Sequence, residues 1–302
     1  MNLQTEIGLV RQEVAEPGRD DQSDNFVADF DIVDRIHQAE LQVAKDLHYQ
    51  ALSSLQKAGS ITTTTTTDSY ALASDYLRLL GARYNTVAAD TARMREVKFV
   101  DPATFHLVKT SPNYRRCNYD KPYGTIIDNR VWFWPYSDAG GVSGAFLRYI
   151  KRPTRRTKFF KFRSTVTSTT SVESGNVGSK ANEMATNAWL TANMRAITGG
   201  LWGEEHAVTS SSPTNGVFGF TATDVWSATP VVGTEFEVGQ VSDLPEDLYP
   251  LWVKFAAYLV LCTDRADEAQ SKLAEYKAAV AMANESWGRP PVVESGLREV
   301  TK

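Results

Sequence analysis

The sequence predicts an α+β protein whose core is an antiparallel bundle of long helices with a small β-sheet or barrel element. Two segments near opposite ends of the chain, residues 31–57 and 250–287, carry apolar residues every three or four positions, the spacing of one buried stripe on a helix. Strand-like runs bounded by turn residues lie between them. After residue 153 the composition becomes rich in Ser, Thr and Gly, which predicts an inserted small α+β domain.

These observations divide the chain into four predicted parts. They are a polar N-terminal arm at 1–27, a core of helices and strands at 28–153 and 241–287, an inserted α+β domain at 154–240, and an extended C-terminal arm at 288–302. The arm at 1–27 is acidic and poor in large apolar groups, so we expect it to be mobile alone and ordered only within an assembly.

The helix predicted over 250–287 is the element against which other helices should pack. Pro250 suits its first position, and Gly288 suits its end. Its core stripe consists of Trp252, Phe255, Leu259, Leu273, Tyr276 and Val280, with Cys262, Ala266, Ala269, Ala283 and Trp287 at the same spacing. The alternative is a break near Thr263 and Asp264, with Asp264 capping a second helix.

The segment 31–57 is the predicted antiparallel partner of that helix. Asp29 or Asp31 can cap its N-terminus. Its apolar positions are Ile32, Val33, Ile36, Ala39, Val43, Leu47, Ala51 and Leu55. If the two stripes face each other, each buried leucine or isoleucine contributes about 1.5–3 kcal/mol of transfer free energy.

Strands are predicted between the two helical segments. The threonine run Thr62–Thr67 favours an edge strand or hairpin arm, and a disordered low-complexity linker is the alternative. Residues 97–108 and 124–135 have the pattern of strands around turn residues, and 144–153 that of a strand closed by its final proline. The expected β element is therefore built from this part of the chain.

The inserted domain is predicted to combine one helix with strands. An apolar side at helical spacing predicts a helix over 179–197. Short alternating runs predict strands over 215–224 and 233–241. The domain would thus be α+β by itself.

The composition limits the classes of function. Hydrophobic residues at 42% and charged residues at 23% are typical of a soluble globular protein, and the net charge of −4 neither requires nor excludes an anionic partner. No run approaches the roughly 20 apolar residues of a membrane span, and no signal-peptide core is expected at the start. Cys117 and Cys262 lie 145 positions apart, which indicates a reducing compartment or no redox role.

No catalytic, cofactor-binding or metal site is predicted. His37 and His48 are eleven positions apart, too far along one helix to share a metal ion. Glu204, Glu205 and His206 are adjacent, so their side chains should point in different directions. The glycine-rich runs "SGNVGSK" and "AGGVSGAF" lack the order of a phosphate loop or a dinucleotide fingerprint. The sequence therefore predicts that the protein is not an enzyme.

The strongest polar signal is residues 151–163, here named the basic segment. Its cations are Lys151, Arg152, Arg155, Arg156, Lys158, Lys161 and Arg163, with Phe159, Phe160 and Phe162 between them and no acidic residue. Three interpretations are open: a strand with its aromatic side chains packed inside, a docking patch for an acidic neighbour such as the arm 1–27, and contact with DNA phosphates.

The arm 288–302 contains a second set of candidate interaction residues. They are Val292, Val293, Leu297 and Val300, spaced among charged residues after the Pro290–Pro291 pair. This is too little apolar surface to fold alone, but enough to anchor a strand or turn in the groove of a neighbour. The alternative is a tail that lies along its own subunit.

The order of several motifs resembles that of the head-to-tail adaptor, or neck connector, proteins of tailed bacteriophages. A capped N-terminal helix precedes "SYALASDYLRLL", which is followed by "PYGTIIDNRVWFWP", "LRYIKRPT" and "DLPEDLYPLWVKFAAYLVL". The resemblance covers about residues 29–153 and 242–280. It departs at Ala73, where proline is expected, and in the block 154–241, which the family usually lacks.

The resemblance implies a structural virion protein that forms a ring of about twelve copies in the phage neck, after assembly in the host cytoplasm. Its implied partners are further copies of itself, the portal protein, and the tail tube, nozzle or other neck proteins. The genome DNA would pass through the channel without specific binding, and no membrane would be involved. The alternatives are another tail or head-decoration subunit, and a nucleic-acid-binding module that uses the basic segment.

Overall fold

The computed structural model describes residues 1–14, 27–85, 94–111, 121–135, 141–174 (backbone only at 141–143), 186, 188–212, 216–262 and 265–287. The chain divides into two compact units, one formed by residues 1–46 with 153–302 and the other by residues 47–152. We call them the terminal unit and the central unit. The boundary at residue 153 coincides with the predicted start of the insertion, but residues 154–240 group with the two ends of the chain.

The helices and strands follow in chain order. The helices are α1 (Leu3–Glu13), α2 (Asp29–Asp46), α3 (Pro102–Thr110), α4 (Tyr249–Leu261) and α5 (Ala266–Ser286), with short 3-10 turns at Tyr49–Leu55 and Glu246–Leu248. The strands are β1 (Gln56–Thr63), β2 (Ser69–Ala71), β3 (Tyr76–Tyr84), β4 (Arg95–Glu96), β5 (Lys98–Phe99), β6 (Tyr123–Ile127), β7 (Arg130–Trp134), β8 (Gly141–Lys151), β9 (Phe159–Arg163), β10 (Val166–Thr167), β11 (Ser171–Glu173), β12 (Ala192–Ala196), β13 (Glu205–Ala207), β14 (Ser210–Ser212), β15 (Val217–Gly219) and β16 (Glu235–Gln240).

The predicted core of long antiparallel helices is wrong. In the described part of the chain the protein is a mixed α+β structure with four small sheets and short helices. The segment 31–57 is α-helical only to Asp46. Tyr49–Leu55 forms a 3-10 turn, and strand β1, which pairs with β8, begins at Gln56, so strand hydrogen bonds replace helical ones there. The segment 250–287 is two helices, as the alternative of a break proposed, with residues 263–264 outside the described ranges.

Among the described residues of the terminal unit, helix α4 is the one on which the other three α-helices pack. It contacts α1, α2 and α5, and seven of its thirteen residues are buried. Helix α5 contributes little burial in return, since only Ala269 and Tyr276 of its 21 residues are buried. Phe255 of α4 lies against Tyr276, with ring centroids 4.7 Å apart, and the Tyr276 hydroxyl donates to Asp46 at 2.6 Å.

The N-terminal residues are helical and buried, which corrects the prediction of a polar arm over the part that the structure describes. Leu3, Ile7 and Val10 are at most 1% exposed. The Asn2 side chain caps α1 by accepting from the Thr5 backbone N–H at 2.9 Å. A Cβ at Gly239 would lie 2.9 Å from the Leu3 nitrogen, so glycine at that position allows β16 to approach α1. Residues 15–26 lie outside the described ranges.

The described residues of the central unit form two sheets, with strand orders β1-β8-β3-β4 and β2-β7-β6-β5. The strands predicted around turn residues at 124–135 are present as β6 and β7, which form a hairpin joined by Asp128 and Asn129, both at positive φ. The threonine run contributes only its first two residues, Thr62 and Thr63, to edge strand β1. Residues 97–108 are only partly strand, because Asp101 caps α3 and Pro102 occupies its first turn.

Residues 159–240 form the other two sheets, with strand orders β13-β12-β16-β9 and β10-β11-β15-β14. Their shared core contains Trp189, Phe218, Trp226 and Phe236, each at most 1% exposed. The helix predicted over 179–197 is wrong at its C-terminal end, where residues 192–196 alternate between buried and half-buried as strand β12. Its first residues, 179–185, are outside the described ranges. The two strands predicted at 215–224 and 233–241 are present as β15 and β16.

No helix within the described ranges has both the length and the apolar character that crossing a bilayer requires.

Candidate functional site

The basic segment leads from β8 into β9, and its most buried cation is Arg156. The side chain of Arg156 is 3% exposed, and it meets two carboxylates that are also buried, Glu6 of α1 at 0% and Glu40 of α2 at 1%. Three segments that are distant in sequence therefore meet at one guanidinium. We call Arg156, Glu6 and Glu40 the buried ion cluster.

The geometry of the buried ion cluster is that of a forked arginine. Arg156 Nη1 donates to Glu6 Oε1 at 2.9 Å, and Nη2 donates to Glu6 Oε2 at 2.6 Å. The same Nη2 donates to Glu40 Oε1 at 2.7 Å. Trp252 of α4 adds a hydrogen bond from Nε1 to Glu6 Oε2 at 3.1 Å, and the Ser242 hydroxyl donates to Glu40. The cluster thus joins α1, α2, α4 and the basic segment.

One positive charge faces two carboxylates in this cluster. Burial raises the pKa of Glu40 to about 7, with Glu6 adding to the rise, while Arg156 and the Ser242 hydroxyl oppose it. His37 Nδ1 lies 4.0 Å from Glu40 Oε2, and burial followed by the charges of Arg155 and Arg156 lowers the His37 pKa. Near neutral pH, therefore, His37 is neutral and Glu40 is the group that titrates.

The titration of Glu40 predicts a pH-dependent stability. Its pKa of about 7 in the folded protein exceeds the ordinary 4.5, so between these pH values the folded state holds a proton that the unfolded chain has lost. The free energy of unfolding should therefore fall as the pH rises from about 4.5 to about 7, by on the order of 3 kcal/mol from this group. Urea unfolding at pH 5 and pH 8 measures the fall.

The control for this prediction is Glu40→Gln. Glutamine has nearly the same shape and keeps one side-chain oxygen, but its amide cannot titrate. All other titrating groups are the same in the two proteins. From pH 5 to pH 8 the free energy of unfolding of the Gln variant should therefore fall less than that of the wild type. Parallel pH dependences of the two proteins would contradict the assignment of the titration to Glu40.

The other members of the basic segment mostly have partners within the protein. Arg155 pairs with Asp34 at 2.6 Å and Arg163 with Glu235 at 2.6 Å, both at the surface, and Lys158 donates to the Ala188 carbonyl at 3.0 Å. In the central unit, Arg152 donates to the Tyr76 carbonyl at 3.0 Å. Lys151 is half-buried, and Lys161 is exposed on β9.

The phenylalanines of the segment pack inside. Phe160 and Phe162 lie on the core of the two sheets, and Phe162 stacks on Phe218 and Phe236 with ring centroids 5.4 and 5.7 Å apart. Phe159 meets Phe30 edge to face. The structure thus agrees with the first interpretation of the segment, a strand with packed aromatic side chains. Docking to a neighbour or to DNA stays a prediction.

The predicted helix stripe is buried to different degrees. Trp252 and Tyr276 are fully buried, whereas Phe255, Leu259, Leu273 and Val280 are half-buried. On α4, which packs against α1 and α2, Ala256, Ala257 and Val260 are buried and Leu259 is only half-buried. The C-terminal candidates Val292, Val293, Leu297 and Val300 lie outside the described ranges.

Sequence reasoning missed the two glutamates of the buried ion cluster, although a signal for them exists. Glu6 lies between Leu3 and Val10 at helical spacing, and Glu40 lies four residues after Ile36. Both acids thus occupy apolar-stripe positions, where a carboxylate requires a buried partner. The pattern could have indicated a buried cation but not that the cation is Arg156, because the three residues are far apart in sequence.

His206 makes contacts within the folded unit, with Asp224 and Trp226. His206 Nδ1 is 2.7 Å from Asp224 Oδ1, and the ring lies 4.5 Å from that of Trp226. Glu204 accepts hydrogen bonds from the Ser227 backbone and hydroxyl. Across the described ranges no cluster of His, Cys, Asp and Glu is arranged to hold a metal ion.

The buried ion cluster and the packed segment around it hold several parts of the chain together, which is the role of structural residues. A family model described as SU10 adaptor protein matches residues 1–165. Because this match covers more than half of the 302 residues, the chain belongs to the SU10 adaptor family, whose members are structural phage proteins and virion components. The resemblance to tailed-phage head-to-tail adaptors is thereby confirmed.

The matched range can be compared with the structure and with the motif comparison. It includes α1, α2, the whole central unit and Arg156, so all three members of the buried ion cluster lie within the family match. It ends at residue 165, and it does not extend to the 242–280 region that the motif comparison included. No curated protein matches the sequence.

Proposed function

We propose that the protein is a head-to-tail adaptor that forms a ring of about twelve copies between the portal and the tail. The match of residues 1–165 to the SU10 adaptor family is the observation that carries this proposal. The ring contacts the portal above and the tail tube, nozzle or other neck proteins below. Genome DNA passes through the channel without specific binding, because tight phosphate contacts repeated around a ring would hold it there.

Exposed apolar side chains in the terminal unit support a role in protein assembly. Trp202 is 71% exposed, and Val231 and Val232 are 74% and 63% exposed. The pairing of β12 with β16 brings their two loops to the same end of a sheet, where the Thr198 hydroxyl accepts from the Glu235 backbone N–H. Exposed aromatic and aliphatic side chains are typical of protein contact sites.

Reconstitution on portal rings tests the proposal. Purified protein mixed with portal rings should form a second ring on one face of the portal, and electron microscopy of the complex should count its copies. A head-decoration or tail subunit would leave the portal bare. Salt-sensitive binding to duplex DNA without portal attachment would favour the nucleic-acid-binding alternative.

The proposed function assigns portal or neighbour contacts to the C-terminal arm. Truncation after Trp287 should leave the melting temperature nearly unchanged and abolish attachment to portal rings, because the removed valines and leucine supply the anchor. The matched control keeps the full length and replaces Arg298 with Ser, which should attach normally. Normal attachment of the truncated protein would show that the arm is not needed.

A further inference from the structure

The two units of the chain carry opposite net charge. The central unit, residues 47–152, contains 14 Lys and Arg against 8 Asp and Glu, a formal net charge of +6. The terminal unit, residues 1–46 and 153–302, contains 18 Lys and Arg against 28 Asp and Glu, a formal net charge of −10. The net charge of the whole chain, −4, is the sum of these two opposite charges. Two copies placed with unlike units together would attract each other.

One open sheet face of the central unit concentrates cations around an aromatic residue. On β8, Phe146 and Arg148 are two residues apart and both exposed, so they share one side of the strand. On the neighbouring strand β3, Arg83 lies directly opposite Phe146 and is also exposed. We call Arg83, Phe146 and Arg148 the arginine face.

Small residues lie beside Phe146 and Arg148 on the neighbouring strands. Ser60 of β1 lies opposite Phe146, and Ala58 lies opposite Arg148; both are exposed. Gly81 of β3 lies on the other side of Arg148. Glu96 of β4, which is also exposed, lies opposite Arg83 on its other side. Beside Phe146 and Arg148 the small residues leave the phenyl ring and the guanidinium group accessible to a broad surface.

Among the described residues neither arginine of this face forms an ion pair with a carboxylate, although Glu96 lies opposite Arg83 in the strand register. This distinguishes them from Arg155 and Arg163, which pair with Asp34 and Glu235. Arginine and phenylalanine are enriched in protein interfaces, where arginine forms forked hydrogen bonds to carboxylates. The arginine face is therefore suited to a partner that presents acidic side chains.

We propose that the arginine face binds the acidic terminal unit of the next copy in the ring. The inference rests on the proposed function, and it specifies which two surfaces form the contact between neighbouring copies. A ring requires a head-to-tail contact between two different surfaces of the same chain, and the +6 and −10 units supply such a pair. DNA fits less well, since the −10 unit of each copy would repel phosphates.

Site-specific photocrosslinking in assembled particles tests the proposal. A photoreactive benzoylphenylalanine replaces Phe146, the particles are irradiated, and mass spectrometry identifies the linked peptide. The expected product joins position 146 to residues 1–46 or 153–302 of a second copy. The proposal would be overturned by a link to residues 47–152 of a second copy, to another protein or to DNA. It would also be overturned if no link formed.

A matched position controls for general reactivity of the central unit. Leu107 of α3 is 58% exposed in the same unit, and the same photoreactive residue there should not give the product formed at position 146. The same product from both positions would overturn the assignment to the arginine face.

Charge reversal gives an independent measurement. Arg83→Glu with Arg148→Glu should reduce ring formation on portal rings roughly tenfold or more, because like charges would then face each other. Lys98→Glu with Lys121→Glu makes the same change in net charge at other exposed positions of this unit and should have a much smaller effect. Equal losses would overturn the proposal.

The two proposals fail in different ways. If the particle neck lacks this chain, the proposed function is wrong. If the chain forms a ring in which position 146 is linked elsewhere, the adaptor function stands and only the role of the arginine face is wrong.

Discussion

Replacing Arg156 with methionine is expected to lower the free energy of unfolding of the terminal unit by about 3–5 kcal/mol. Methionine fills a similar volume but leaves Glu6 and Glu40 buried without their shared cation. Trp252 would still donate to Glu6, and Ser242 to Glu40, but neither carries a charge. Chemical unfolding followed by circular dichroism at 222 nm measures the loss, because α1, α2, α4 and α5 all lie in this unit.

The adjacent arginine is the matched control for this substitution. Arg155 pairs with Asp34 at the surface, where both side chains are more than half exposed, so Arg155→Met should cost no more than about 1 kcal/mol. Equal effects of the two substitutions would contradict a special role for the buried ion cluster. A second comparison, Arg156→Lys, should lose most of the stability as well, because an ammonium cannot form the forked contact with Glu6.

The second large effect is expected in α1. Changing Ile7 to Asp should lower the free energy of unfolding by about 4 kcal/mol or more, because the substitution removes a buried side chain and places a carboxylate in an apolar site beside Glu6. Ile7 is 1% exposed. The same unfolding assay applies.

Its neighbour offers a close control. A Cβ added at Gly8 would meet no atom within 4 Å, and Gly8 is exposed, so Gly8→Asp should change stability by less than about 1 kcal/mol. If Ile7→Asp were as mild as Gly8→Asp, α1 would contribute little to the folded unit, in agreement with the mobile arm that the composition of residues 1–27 predicted. A large difference between the two establishes α1 as part of the core.

Patterns contained within one element were predictable. The amphipathic spacing of residues 31–46, the hairpin around Asp128 and Asn129, and the strand ending before Pro153 each depend on neighbouring residues. The order of the motifs along the chain also indicated the adaptor family, because motif order can be read from the sequence without knowing which residues are in contact. The alternative break near Thr263 and Asp264 came from a possible helix cap at Asp264, and the structure has two helices, α4 and α5, on either side of it.

Other local patterns were overridden by tertiary contacts. Leu47, Ala51 and Leu55 continue the helical spacing of α2, but the chain leaves the helix at Asp46 and pairs with β8 from Gln56. In the same way, residues 192–196 carry apolar side chains compatible with a helix yet form strand β12 between β13 and β16. Short apolar segments accept either structure, and the available partner decides.

The sequence by itself therefore determined the class of protein, the positions of its main amphipathic helices and one hairpin, because these depend on spacing over a few residues. Only the tertiary structure decided that residues 3–13 are core, and that Arg156 is the buried partner of Glu6 and Glu40 instead of a surface cation. It also placed Arg83 opposite Phe146. Each of these facts depends on which distant segments meet, and the strength of a charge depends on its burial.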